Sequence, residues 1–176
     1  MRNILGWCEV VHMGKAESSF ESIENDVILE KAIEIACRAH KGQRDKAGAP
    51  YILHPLRVML QLDSIEERIV AVLHDVMEDG PAEAVQEIKN LLPQRLFEAL
   101  LAVTKQDDEH GPEGYAHFIE RAMHNSIARR VKIADLRDNL DITRLDAIRE
   151  KDSDRLNRYL RSLRRLQALE EEHEQA

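Results

Sequence analysis

From Ser64 to Pro81 the chain carries a helix signature that is complete at both ends and contains a histidine beside an aspartate. Ser64-Ile65-Glu66-Glu67 places a hydroxyl three residues before a carboxylate, the reciprocal arrangement that starts a helix. Gly80-Pro81 stops it. Inside the run Ser64 to Asp79 lies Leu73-His74-Asp75-Val76-Met77-Glu78-Asp79. On one continuous helix Glu78 is i+4 from His74 and i+3 from Asp75, and Asp79 is i+4 from Asp75, so these groups crowd one edge. Carboxylates at the border of an apolar face made by Val72, Leu73 and Val76 are costly unless a cation or hydrogen bonds offset them. The stretch therefore specifies a helix and the floor of a metal site together.

The rest of the chain is punctuated into further helices. Val27, Leu29, Ala32, Ile33, Ile35, Ala36 and Ala39 recur at helical spacing from Asn25, a plausible N-cap, to His40, and Gly42 ends the run. A polar loop, 43–51, delivers Ile52-Leu53-His54-Pro55, with Pro55 in the first turn of a helix from Leu56 to Leu62. Further helices run to about Leu92, from Pro93 to about Lys105, from Tyr115 to Met123, from Ala128 to Leu140 and from about Ser153 to Leu169. The charged stretch 106–114 is expected to be the most mobile loop. Val131, Ile133, Ala134 and Leu136 should face inward, as should Leu156, Tyr159, Leu160, Leu163 and Leu166. These elements make an all-α, single-domain helical bundle over 25–170. Residues 1–24 form an arm without clear period, and a solvated tail begins at Glu170, leaving 171–176 outside the domain. An aromatic content of 4% with 33% charged residues fits this class better than a β-sandwich.

Charge excludes some functions. A net charge of −8 disfavours general binding to nucleic acid or an anionic membrane, so an anionic ligand must be met by a local cluster of Lys and Arg. Cys8 and Cys37 supply neither a disulfide framework nor a Cys-x-x-Cys zinc motif, which suits a reducing cytoplasm. The apolar run Ile4 to Trp7 is too short for a signal peptide, and no stretch has the length of a membrane span.

A metal held at His74 and Asp75 needs ligands from other helices. Asp135, set among Ile133, Ala134 and Leu136, is the best carboxylate, and His54 the best second imidazole. His40 reads as a helix C-terminal cap. His12, His110, His117, His124 and His173 lack acidic partners at useful spacing and read as surface residues.

Four separated motifs then fall into one order: Ala39-His40-Lys41-Gly42-Gln43, Gly48-Ala49-Pro50-Tyr51-Ile52-Leu53-His54-Pro55, His74 to Asp79, and Lys132-Ile133-Ala134-Asp135 with Asn139. From about Ile28 to Tyr159 the chain resembles the HD-type hydrolase domain of RelA/SpoT enzymes, as a stand-alone small alarmone hydrolase. The resemblance implies an HD-type all-α fold with a central metal site, and manganese-dependent removal of the 3′-pyrophosphate from guanosine tetra- or pentaphosphate. It puts the metal ligands on His54, His74, Asp75 and Asp135, the catalytic acids on Glu78 and Asp79, and a substrate contact on Asn139. Two departures bear on specificity. Asp45 then Lys46 stand where two adjacent bases are usual, and Asp135-Leu136-Arg137-Asp138-Asn139 stands where Asp-Arg-Leu-His-Asn is usual, putting an acid beside the substrate. An adenosine alarmone is therefore a candidate alongside the guanosine one.

In that scheme two His and two Asp suit Mn2+, with other divalent transition metals open. Glu78 or Asp79 takes a proton from water, Lys46 with Arg44 or Lys41 neutralises pyrophosphate, and Asn139 orients the ribose. The stripe Arg155, Arg158, Arg161 and Arg165 reads as a solvated face, from which Arg158 would reach the 5′-phosphates. The rival readings are a general HD nucleotide phosphohydrolase and an alarmone-binding HD domain without turnover.

Overall fold

A computed structural model describes residues 24–145 and 147–175. Most of the arm expected over 1–24 and the end of the tail lie outside that range. The helices are α1 (24–39), α2 (Leu53–Leu60), α3 (Ile65–Leu73), α4 (Val76–Asp79), α5 (Ala82–Leu91), α6 (Gln94–Val103), α7 (Gly111–Met123), α8 (Ser126–Asn139) and α9 (Glu150–Glu174), with a 3-10 turn at Ile142–Arg144. There is no strand among the described residues, and no helix there is long and apolar enough to cross a membrane. The all-α bundle expected from the sequence is the fold observed.

Helix α3 is the axis of the bundle. Ile69, Val70, Ala71, Val72 and Leu73 are each 0% exposed, so it is buried on every side rather than along one stripe. Helices α2, α6 and α8 pack around it. Its start is the expected capping box: Ser64 Oγ accepts from Glu67 N–H at 3.1 Å, and the Glu67 carboxylate accepts from Ser64 N–H at 3.5 Å.

Its end differs from expectation. The run from Ser64 to Asp79 is not one helix, because the α-ladder stops after Leu73 and resumes as the single turn α4 after a turn at His74-Asp75. The Ala71 carbonyl, which would carry the ladder onward to Asp75, accepts from His74 Nδ1 at 2.8 Å. The imidazole thus ends its own helix. Other boundaries move by a few residues: α2 starts at Leu53, so Pro55 is its third residue, and α1 is already helical at residue 24, so Asn25 is not its cap.

A second cluster, Ile119, Ile133, Leu136 and Leu166 with Tyr115, Tyr159 and Leu163 against it, seats α7 and α9 on α8. Leu160 is 38% exposed, contrary to expectation, because Tyr159, Leu163 and Leu166 already define the inward stripe. Nor does the solvated tail begin at Glu170: α9 continues, and the Glu170 carboxylate bonds both Arg129 and Arg130. In the segment before α7, where the most mobile loop is expected, one side chain is held inward. Buried Glu109 accepts from Gln106 N–H at 2.8 Å and from Arg121 at 2.6 Å. Gly114 packs so closely on it that a Cβ would lie 2.3 Å from the Glu109 carbonyl carbon.

Candidate metal centre

Three segments far apart in sequence bring their donors together where α2, the end of α3 and α8 meet. His54, His74 and Asp135 are buried, and one ligand atom from each lies within 4.8 Å of the others. His54 Nε2 is 3.2 Å from Asp135 Oδ1, and His74 Nε2 is 3.7 Å from the same oxygen. Asp75 flanks this trio, with Oδ1 3.2 Å from His74 Nε2 and Oδ2 3.6 Å from His54 Nε2. Oδ2 also accepts from Tyr51 Oη at 2.7 Å. His74 Nε2 is buried without a hydrogen-bond partner, an expensive state that a cation would relieve. Two imidazole nitrogens and carboxylate oxygens at this spacing form a donor set that fits a divalent transition metal.

Electrostatics agree. Burial alone would lower the pKa of His54, but Asp135 and Asp138 outweigh it and raise the value to about 9. Burial likewise opposes, and Asp75 and Asp135 reverse, the shift of His74, which is upward. Burial would raise Asp135, yet Lys132 and the two imidazoles hold it well below the ordinary carboxylate range. The Lys132 ammonium is buried 2.8 Å from Asp135 Oδ2, and its Nζ lies 4.5 Å from the centre of the Phe118 ring. Lys132 is a site residue the sequence reading missed, although its place one turn before Asp135 could have shown it.

No family model matches the chain. It is 32% identical over 120 residues to a guanosine-3′,5′-bis(diphosphate) 3′-pyrophosphohydrolase of Aquifex aeolicus (strain VF5), covering 64% of this chain and 17% of that one. It is 31% identical over 123 residues to the bifunctional (p)ppGpp synthase/hydrolase SpoT of Escherichia coli (strain K12), with the same coverage of 64% and 17%. A protein of the same name as the first, from Borreliella burgdorferi, is 40% identical over 85 residues, 46% of this chain and 12% of that one. The fold matches a solved structure described as a metazoan orthologue of SpoT that hydrolyses ppGpp, with a TM-score of 0.65, 22% identity, and coverage of 77% of this chain and 83% of that one. Over about two thirds of its length the chain is therefore similar to proteins named for (p)ppGpp hydrolysis. It spans about one sixth of the length of the curated relatives it matches.

The donor cluster floors an open cleft of about 480 Å³. Glu78 and Asp79 stand at its rim, exposed. The Glu78 carboxylate accepts from Lys105 N–H at 2.5 Å, and desolvation by the cleft wall raises its pKa despite that bond. Asn139 donates to Asp135 Oδ1 at 2.6 Å, so it is tied to a candidate ligand. Arg44 and Lys46 line the cleft, Arg44 donating to the Gly48 carbonyl at 2.7 Å. The α9 stripe divides: Arg155 and Arg158 line the cleft with their Nε atoms buried and unpartnered, while Arg161 and Arg165 are exposed. Arg158 stacks 5.0 Å from the centre of the Tyr115 ring. Tyr51, Lys105, Tyr115, Arg144, Arg155 and Tyr159 line the same space, beyond the substrate contacts read from sequence.

His40 stands at the end of α1, where the sequence reads a C-terminal cap, and is buried beneath the loop, its Nδ1 2.8 Å from Gln43 Oε1 and its ring 5.0 Å from that of Tyr51. Two further expectations change. Asp45 turns into its own loop, Oδ1 accepting from Ala47 N–H and Ala49 N–H at 2.9 Å each. Asp138 does not face the substrate space at all; it lies behind His54, because α8 turns that position toward α2. His110, His117, His124 and His173 are exposed as expected, and His12 lies outside the described residues.

Proposed function

We propose that this domain is a metal-dependent 3′-pyrophosphohydrolase of purine alarmones, removing the 3′-pyrophosphate of ppGpp, pppGpp or an adenosine counterpart. The carrying observation is the buried donor trio His54, His74 and Asp135, with His74 Nε2 unpartnered, beneath a cleft walled by Arg44, Lys46, Lys105, Lys132, Arg144, Arg155 and Arg158. A chain of net charge −8 that gathers so many cations around one cleft is suited to a polyphosphate. Kinship with proteins named for this reaction supports the same reading.

His54, His74, Asp75 and Asp135 would hold Mn2+, or another divalent transition metal. A metal in such a set acts as a Lewis acid toward a phosphoryl oxygen and lowers the pKa of bound water. Glu78, raised in pKa at the rim, takes the proton of the attacking water, with Asp79 as the second acid of the pair. Water oxygen bonds to the phosphorus on the 3′-oxygen and the ester bond breaks; the leaving 3′-oxygen takes up the proton that the acid pair received, and the 3′-hydroxyl and pyrophosphate are released. Arg44 and Lys46 neutralise the pyrophosphate, Arg158 reaches the 5′-phosphates, and Asn139 fixes the carboxylate of Asp135 beside the ribose. The substrate is a small cytoplasmic nucleotide rather than a nucleic acid.

The deciding experiment incubates the protein with Mn2+ and, separately, ppGpp, pppGpp, pppApp and pApp, and resolves products by anion exchange. Pyrophosphate release from one of them is expected and fixes the purine. Cleavage of none while metal is demonstrably bound overturns the proposal, and preferential cleavage of ordinary nucleotides replaces it with a general phosphohydrolase.

A further inference from the structure

Behind the metal centre sits a carboxylate without access to the cleft. Asp138 is 6% exposed, and its Oδ2 lies 2.6 Å from His54 Nδ1. Arg57 grips the same carboxylate in a fork, Nε to Oδ1 at 2.6 Å and a terminal nitrogen to Oδ2 at 3.0 Å. Arg144 adds a contact to Oδ2 at 3.2 Å and also faces Asp45 at 3.8 Å. Two guanidinium groups thus offset the burial of the charge and fix its orientation.

We propose that Asp138 is a positioning residue of the metal centre, holding the Nδ1–H of His54 so that Nε2 carries the lone pair offered to a metal. This rests on the reading of His54, His74 and Asp135 as ligands. An ionised carboxylate only accepts hydrogen bonds, so the 2.6 Å contact requires a proton on Nδ1. Nε2 then points to Asp135 Oδ1, 3.2 Å away. His74 has the same orientation by a neutral route, its Nδ1 donating to the Ala71 carbonyl at 2.8 Å. The two imidazoles therefore differ in one respect: His54 is backed by a full negative charge, which makes its free nitrogen the stronger donor. The acid at 138 thereby acts through His54 and not through the substrate.

The test uses the full chain and Zn2+ as a diamagnetic probe, with affinity measured by calorimetric competition against a chelator. Asp138→Ala should weaken Zn2+ binding by about 10- to 100-fold, and Asp138→Asn, which keeps an oxygen for the Nδ1–H, should lose less than the alanine variant. In the Zn2+-loaded, 15N-labelled protein the His54 proton should reside on Nδ1. Unchanged affinity in Asp138→Ala, equal losses in both variants, or a His54 proton on Nε2 overturns the proposal. If the alanine variant does not fold, the nitrogen-bound proton of wild type and of Asp138→Asn decides alone. A wild-type protein that takes up no Zn2+ or Mn2+ overturns the metal reading itself, a failure visible before any variant is made.

Discussion

Raising the pH should destabilise the metal-free protein through His54. Its folded pKa of about 9 lies above the ordinary 6.5, so folding is favoured by the extra proton that the native state binds. That contribution is fully present below pH 6.5 and is lost as the pH climbs through about 9. At about 1.4 kcal/mol per pH unit the interval amounts to about 3 kcal/mol. For a chain of 176 residues this is a fall in Tm of roughly 10 °C. Differential scanning fluorimetry in chelator from pH 6 to 9.5 reads it directly, with His54→Gln as the control whose decline should be shallower. Adding Zn2+ should counter the trend: a metal must displace the His54 proton, so apparent affinity should rise by up to about tenfold per pH unit across the same window. A flat wild-type profile, or an equal slope in His54→Gln, would refute the account of the Asp135 and Asp138 contacts given above.

Other outcomes follow from the same geometry. Glu78→Gln should leave metal content by elemental analysis unchanged and lower kcat by about 10²- to 10⁴-fold; undiminished turnover would remove Glu78 from the role of base. Charge reversal at Arg158 should raise KM with little change in kcat, and an unchanged KM would place Arg158 outside the 5′-phosphate contacts. Ser64→Ala removes the hydroxyl that caps α3 and should cost about 1 kcal/mol, seen as a Tm lower by about 2–4 °C. Its metal affinity should not change, because the cap lies at the opposite end of α3 from His74.

Local signals are legible where neighbours in sequence decide the outcome. The Ser64 box is one, since both of its hydrogen bonds span three residues. The grouping of His54, His74 and Asp135 was legible for a different reason: a buried imidazole or carboxylate on an apolar background needs a partner, and few partners were on offer. Periodicity implies a continuous helix past Leu73 because it does not register a side chain bonding its own helix's carbonyl. Helical phase alone does not place Asp138. On α8 it lies about 60° to one side of Asp135, and Asn139 about 40° to the other. Only the seating of α2 against α8 decides that Asn139 remains at Asp135 on the cleft side while Asp138 turns to His54. The α9 arginines divide for the same reason, one face meeting α7 and α8 and the other meeting water.

The contact between His54 and Asp138 joins residues 84 positions apart, and the helices between them include the buried axis α3. No early, locally folded piece of the chain can hold these groups together, because closing so long a loop is favourable only once the helices it spans have packed. Metal uptake should therefore lag behind helix formation during refolding and coincide with the slowest hydrogen-exchange protection. A fragment ending before α8 would retain helices yet show no high-affinity uptake, so an ion titration doubles as an assay for completed tertiary structure.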